Sequence, residues 1–282
     1  MKSKDNKELK VNILDVRMQR PIIASFNEDG KESTTIITMQ ESEFFEFKNS
    51  TISFYTPNNV ALFLSSAKKE LTKSKSIYES LFGKLAKLKN TKQKSYSVSD
   101  KDLPRLYNYF ESIQLAIISA YTAIESFANI AIPKDYEYHR LNSKKIKEIY
   151  TKEQIERHIK TSEKLDKILP DILKCESPKG NKLWEDFKEI ENFRNDIIHP
   201  KTSKKSKSIS IEDSTFLCKL ISDDFIDKIR SAFKIIEYFC NQNTSNPLFP
   251  LGFGKVTFEP IESNMDDFEK VQDASESQDL PT

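Results

Sequence analysis

The chain has 282 residues, 31% of them charged and 37% hydrophobic, with a formal net charge of +1. This length and composition allow one large or two small domains with a buried core. The five glycines, about 2% against a usual ~7%, disfavour folds built on glycine-rich turns. Phosphate loops of the Rossmann and Walker types are excluded, since the nearest pattern, residues 252–257, lacks the third glycine and opens no helix.

The cysteine and histidine content also indicates which cofactors and which cellular compartment to expect. Three cysteines and three histidines are scattered without metal-ligand spacing, so we expect no metal site and no cofactor. Residues 1–10 are charged and do not form a signal peptide, and no stretch approaches 18 consecutive apolar residues. The expectation is a soluble cytoplasmic protein that does not enter a membrane.

The N-terminal part, residues 1–56, is predicted to be a small β-sheet element of three or four strands. It alternates apolar and polar residues and is rich in β-branched and aromatic side chains. The expected strands are residues 11–16, 34–38, 43–47 and 51–55, with turns at residues 27–30 and at Asn49–Ser50.

From residue 58 the apolar period changes to that of a helix. A long amphipathic helix is predicted to about residue 88, which either runs through or breaks near residues 74–76. A second long helix begins after Asp102, with Pro104 in its first turn, and ends before Pro133. Its apolar residues repeat every seven positions over four heptads, which predicts packing against nearly parallel helices in a bundle.

Shorter helices are expected to follow. Their predicted ranges are residues 144–150, 152–160, 162–174 with an interruption at Pro170, 182–198 and 215–239. The fold class is therefore mainly α, an up-and-down helical bundle over residues 57–241 behind the small β element. Residues 242–282 form a C-terminal segment that ends in an acidic, low-complexity tail predicted to be disordered.

Charge is distributed unevenly along the chain. From Glu259 onward there are eight acidic residues and one lysine, a net −7, which leaves +8 for the remainder. Residues 68–94 alone carry nine lysines against two glutamates. One interpretation is that the part before Glu259 binds polyanions and that the acidic tail folds back and competes for the same surface. The other is that the lysines form a solvated helix face and the tail only increases solubility.

The residues that could take part in catalysis lie at the end of the predicted helix 182–198. Arg194 and Asn195 are followed by His199, and Pro200 ends the helix at that histidine. An imidazole changes charge near neutral pH and suits proton transfer, and a guanidinium is a planar, permanently charged group that matches a phosphate. The same pattern also fits a structural role, in which Arg194 pairs with Glu191 or another carboxylate on the surface and His199 merely caps the helix.

The Arg-Asn-x-x-x-His run, preceded by an aromatic-rich amphipathic stretch, resembles the HEPN superfamily (higher eukaryotes and prokaryotes nucleotide-binding). Residues 123–129 on the second long helix also look like the first long helix of that family. The resemblance covers about residues 100–240 and implies a helical domain that forms homodimers and cleaves RNA without a metal. Many members are toxins or antiviral defence effectors, whereas others are inactive and serve as dimerisation or nucleotide-binding modules.

Carried over, the resemblance implies that His199 acts as general base or acid, that Arg194 stabilises the charge on the phosphate, and that Asn195 orients the imidazole or the phosphate. Glu125 and Asn129, four apart on the long helix, either line the cleft or form a solvated edge. The candidate RNA-binding lysines after the motif are Lys201, Lys204 and Lys205, which equally suit a solvated loop. The leading prediction is an endoribonuclease, and the alternative is a non-catalytic module that binds a protein partner or a nucleotide.

Overall fold

A computed structural model describes the backbone of most of the chain. The described residues are 17, 20–28, 31–39, 42–87, 97–199, 216–221 and 225–242. The predicted strand at residues 11–16 and the acidic tail lie outside these ranges.

The N-terminal β element consists of two separate hairpins. β1 (Arg20–Glu28) pairs antiparallel with β2 (Lys31–Met39), and β3 (Ser42–Phe47) pairs antiparallel with β4 (Ser50–Tyr55). Lys48 and Asn49 make the second turn with φ values of 47° and 65°, one residue earlier than predicted. Two successive left-handed residues favour the tight turn that matches strand twist. A small β element is therefore confirmed, but as two-stranded sheets rather than one of three or four strands.

The first long helix, α1, spans Asn59–Lys87 without a break. The buried Asn58 precedes it and caps it, because its Oδ1 accepts hydrogen bonds from the backbone N–H of Val60 at 2.9 Å and of Ala61 at 3.2 Å. The Oγ of Ser74 donates to the Leu71 carbonyl at 2.8 Å, which satisfies this buried hydroxyl inside the helix. The serines near position 74 therefore do not interrupt α1.

The second long helix, α2, spans Leu103–Ile130 and lies at the centre of the fold. Its heptad residues Ile113, Ile117 and Ile124 are fully buried. Pro104 occupies the first turn as predicted, but Asp102 makes no side-chain cap. Among the described helices, α2 alone is long and apolar enough to cross a membrane by length and composition, and half of its most apolar window is buried inside the protein. Packing against α1 and two later helices accounts for this apolar surface.

The helix predicted over residues 144–150 is wrong, because this region is the hairpin of β5 (Tyr138–Leu141) and β6 (Lys147–Tyr150). The Oδ1 of Asn142 accepts from the backbone N–H of Lys144 at 2.9 Å and of Ile146 at 3.0 Å, which fixes the turn. Across the strands, Arg140 donates to Glu148 at 2.9 Å. Side-chain turn chemistry and a cross-strand pair thus replace the local helical preference.

Residues 152–173 form a helical arm after this hairpin. Its parts are α3 (Lys152–His158), α4 (Thr161–Glu163), a π-helical turn (Lys164–Ile168) and α5 (Leu169–Leu173). The predicted interruption at Pro170 is wrong, since Pro170 lies in the first turn of α5 and the helix continues through it. The irregularity is instead the wide π turn directly before α5.

Three further helices complete the described chain: α6 (Lys182–Ile198), α7 (Phe216–Lys219) and α8 (Phe225–Cys240). The bounds of α6 are those predicted, whereas the single helix expected over residues 215–239 is divided at Leu220 and Ile221. The helices α1, α2, α6 and α8 share one hydrophobic core, with ring contacts such as Phe127–Phe239 and Tyr121–Phe187. The mainly helical fold is confirmed, and the up-and-down order of its helices stays a prediction.

Candidate functional site

The sequence places His199 at the C-terminal end of α6. Asn181 starts this helix, because its Oδ1 accepts from the Trp184 backbone N–H at 3.0 Å. At the other end the His199 N–H still donates to the Asn195 carbonyl at 2.8 Å, but His199 itself leaves helical dihedrals with φ −121° and ψ 67°. The imidazole is exposed there, one residue before Pro200. The imidazole is therefore accessible from solvent at this end of α6.

Arg194 is half-buried and contacts two side chains of the same protein. Its Nη1 donates to the Asn195 Oδ1 at 3.1 Å, and its guanidinium carbon lies 5.1 Å from the centre of the Tyr121 ring on α2. An arginine over an aromatic face is stabilised by about 0.5–2 kcal/mol and loses much of its rotational freedom. Asn195 thus contacts the guanidinium, whereas it was expected to orient the imidazole or the phosphate.

Glu191 does not pair with Arg194. Its buried carboxylate accepts hydrogen bonds from the Lys188 ammonium and, at 3.3 Å, from the Tyr121 hydroxyl. The surface ion pair considered as the structural role of Arg194 is therefore replaced by the contact with an aromatic ring. Asn195 accepts a hydrogen bond from only one of the five N–H groups of the guanidinium. The other N–H groups could donate to a phosphate.

Tyr121 connects the arginine to a polar cluster between α2, α4 and α6. The pKa of Tyr121 is raised to about 12: burial is the largest cause, the carboxylates of Glu191 and Glu125 act in the same direction, and a side-chain hydrogen bond with Thr161 opposes them. The phenol is therefore protonated at neutral pH and available as a hydrogen-bond donor. Its ring supports the guanidinium, while its hydroxyl bonds to α6.

Lys164, the first residue of the π turn, is fully buried in the same cluster. Its Nζ donates to the Asn129 Oδ1 at 2.7 Å and to the Glu156 carbonyl at 3.2 Å. Burial lowers the pKa of Lys164, and the nearby carboxylates of Glu125 and Glu156 oppose that shift. Asn129 therefore binds an internal lysine, and Glu125 acts electrostatically on the same lysine. Both side chains are half-buried, and their place in a substrate cleft stays a prediction.

Sequence reasoning missed Tyr121 and Lys164. A signal for the tyrosine was present, because Tyr121, Glu125 and Asn129 are spaced four apart and form one stripe on α2. The lysine gave no such signal, since it is one of many lysines in the chain. Its burial depends on the π turn, which the local sequence does not predict.

The two principal site residues point in different directions within one chain. Five helical residues correspond to a rise of about 7.5 Å and a rotation of about 140° around the axis. Arg194 accordingly faces α2, whereas His199 lies at the free end of α6. The predicted RNA-binding residues Lys201, Lys204 and Lys205 lie outside the described ranges. Within those ranges, no cluster of three His, Cys, Asp or Glu side chains could hold a metal ion.

Comparison with known proteins adds one similarity. No curated protein and no solved structure matches the chain. The sequence model of the YopA C-terminal domain matches residues 107–238, a little under half of the chain. The matched region runs from the second turn of α2 nearly to the end of α8, and so contains Tyr121, Lys164, Arg194 and His199. Over this helical region the chain is similar to the YopA C-terminal domain.

Proposed function

We propose that the chain is a metal-independent endoribonuclease of the HEPN type, with Arg194 and His199 as its catalytic residues. The observation that carries the proposal is the exposed imidazole at the end of α6, close in sequence to an arginine held over Tyr121. His199 would accept the proton of a ribose 2′-hydroxyl or donate one to the leaving 5′-oxygen. Arg194 would bind the phosphate and stabilise its developing charge.

Two copies of the chain would build the site. The rotation of about 140° between the two side chains makes it difficult for one α6 to present both to a single phosphate. In a homodimer with the ends of two α6 helices facing each other, the arginine of one copy can approach the histidine of the other. The exposed Ile198 beside the motif offers apolar surface for such a contact. The proposal thus includes a homodimer acting on RNA, and extends to a cytoplasmic toxin or antiviral defence effector.

The direct test is cleavage of total RNA by the purified chain in EDTA, with detection of 2′,3′-cyclic phosphate ends. We expect His199→Ala to lower the rate by about 10²–10⁴-fold, the usual contribution of a general acid or base. His158→Ala is the matched control, because His158 is also an exposed histidine at the end of a helix. Equal rates for the wild-type chain and both variants would contradict the assignment of His199.

A mixing experiment tests the composite site. Arg194→Ala and His199→Ala are each expected to be inactive as homodimers. A mixed dimer retains one arginine and one histidine, on different copies, so activity should be partly restored if the site is shared. A mixed dimer verified by mass spectrometry that shows no activity would refute sharing between copies.

A second candidate function is a non-catalytic module that dimerises or binds a protein partner or a nucleotide. It is favoured by the half-buried state of Arg194, whose contacts with Tyr121 and Asn195 would stabilise the fold without any chemistry. In that case RNA remains uncut under all conditions, and Arg194→Ala lowers the free energy of unfolding instead. Cleavage that depends on His199 would exclude this reading.

A further inference from the structure

A surface groove between α1 and α8 combines positive charge with an apolar floor. Its cavity volume is about 250 Å³, and it is lined by Lys68, Leu71, Thr72, Lys75, Arg230 and Phe233. Leu71 is 7% exposed and Phe233 is partly buried against the core, so both form a fixed floor. The three cationic side chains are exposed around it.

The spacing of the cations is set by the helices. Lys68 and Lys75 are seven residues apart, two turns on the same face of α1, which separates their backbones by about 10 Å. Arg230 faces them from α8. Lys75 pairs with Glu79 at 3.9 Å, and half or more of each of these two side chains is exposed to solvent, so the pair is open to competition by another anion. The groove therefore suits a ligand that carries several negative charges around an apolar group.

The C-terminal segment of the same chain has this pattern. In the run Asp266-Asp267-Phe268-Glu269 one aromatic residue stands among three carboxylates, within a segment of net charge −7. We propose that this run binds in the groove between α1 and α8, with Phe268 on Leu71 and Phe233 and its carboxylates beside Lys68, Lys75 and Arg230.

The chain between the end of α8 and the acidic run is long enough for the run to reach the groove. Phe268 is 28 residues after Cys240, where α8 ends, and this length reaches about 90 Å when extended. Phe233 lies seven residues before that end, about 10 Å along the helix axis. Because the segment is tethered, its effective concentration near the groove can reach about the millimolar range, so weak contacts are sufficient.

The binding does not depend on the ribonuclease proposal, since it involves neither Arg194 nor His199. It does have a consequence for RNA. An occupied groove removes three cations from the surface available to a polyanion, and the effect is greatest at low salt. The two proposals are therefore tested by separate experiments. Docking of the segment is tested in the absence of RNA, and catalysis is tested by RNA cleavage in EDTA.

The test compares amide hydrogen exchange of residues 261–272 in full-length variants without RNA. In the wild-type chain we expect slow exchange, and Lys68→Glu/Arg230→Glu should accelerate it by about tenfold. The matched control is Lys73→Glu, an exposed charge reversal on α1 outside the groove. Exchange at the unprotected rate in the wild-type chain, or equal acceleration by the control, would overturn the proposal.

A binding measurement distinguishes the occupants. A fluorescent peptide of residues 259–282 is titrated onto the full-length chain and onto full-length Phe268→Ala. The variant should bind the peptide about tenfold more tightly, because its own segment competes less. If the groove instead binds RNA, Phe268→Ala leaves the affinity for the peptide unchanged. Lys68→Glu/Arg230→Glu then weakens the binding of a 2′-O-methyl RNA oligonucleotide. That pair of results would also refute docking of the segment.

Discussion

The substitution Lys164→Met measures what the buried lysine contributes to the fold. Methionine retains an unbranched side chain of similar length but removes the ammonium, so the Asn129 Oδ1 and the Glu156 carbonyl lose their donor. A buried acceptor without a partner costs about 1–3 kcal/mol. Asn129 is only half-buried and can be reached by water, which places its share at the lower end. Relief of the desolvated charge offsets part of the loss. We expect the free energy of unfolding to fall by about 2–3 kcal/mol.

Urea unfolding followed by circular dichroism at 222 nm measures this loss. Lys167→Met is the matched control, because Lys167 lies in the same π turn but is 58% exposed, and its ion pair with Glu163 at 3.7 Å contributes about 0.5 kcal/mol or less. Adding Asn129→Leu to Lys164→Met should recover part of the stability, since both partners of the bond are then apolar. A loss below about 1 kcal/mol, or one equal to that of the control, would refute the reasoning from burial.

Two further predictions concern the same region. Because the pKa of Tyr121 is raised to about 12 in the folded state, its contribution to stability is complete below pH 10 and is lost as the pH rises toward 12, by about 2–3 kcal/mol in total. Urea unfolding at pH 9 and pH 11 should show a smaller decline for Tyr121→Phe than for the wild-type chain, and equal declines would contradict the assignment. Asn181→Ala should lower the free energy of unfolding by about 1 kcal/mol through loss of the α6 cap, while Asn181→Ser retains most of it. The same urea measurement checks this, and a loss no larger for alanine than for serine would count against a capping role.

Helix α6 shows what a sequence can determine. Its apolar period marks the helix, and Pro200 requires an end near His199, so both the bounds and the exposed imidazole could be predicted. The direction of Arg194 could not be predicted, because it depends on the tertiary position of Tyr121, a residue of another helix. Long-range packing decides such contacts, and no local pattern encodes them.

The hairpin of β5 and β6 was missed for a different reason. Residues 144–150 have charged and aliphatic side chains that suit a helix, but Asn142 binds two backbone N–H groups and Lys145 takes a left-handed conformation with φ 61°. These local bonds define a turn that hydrophobic periodicity does not detect. The contact of Tyr138 with Glu163 at 2.9 Å then fixes the hairpin on α4.

The π turn at Lys164–Ile168 has a consequence for how related chains should be aligned. It contains one residue more than an α-helical turn, and this extra residue lets Lys164 face Asn129 while Leu169 and Leu173 remain in the core. Deleting one residue here would rotate the two halves of the helix by about 100° relative to each other. A relative that is one residue shorter at this point could keep the buried lysine or the two leucines, but not both. The length of this turn and the burial of the lysine are therefore expected to change together.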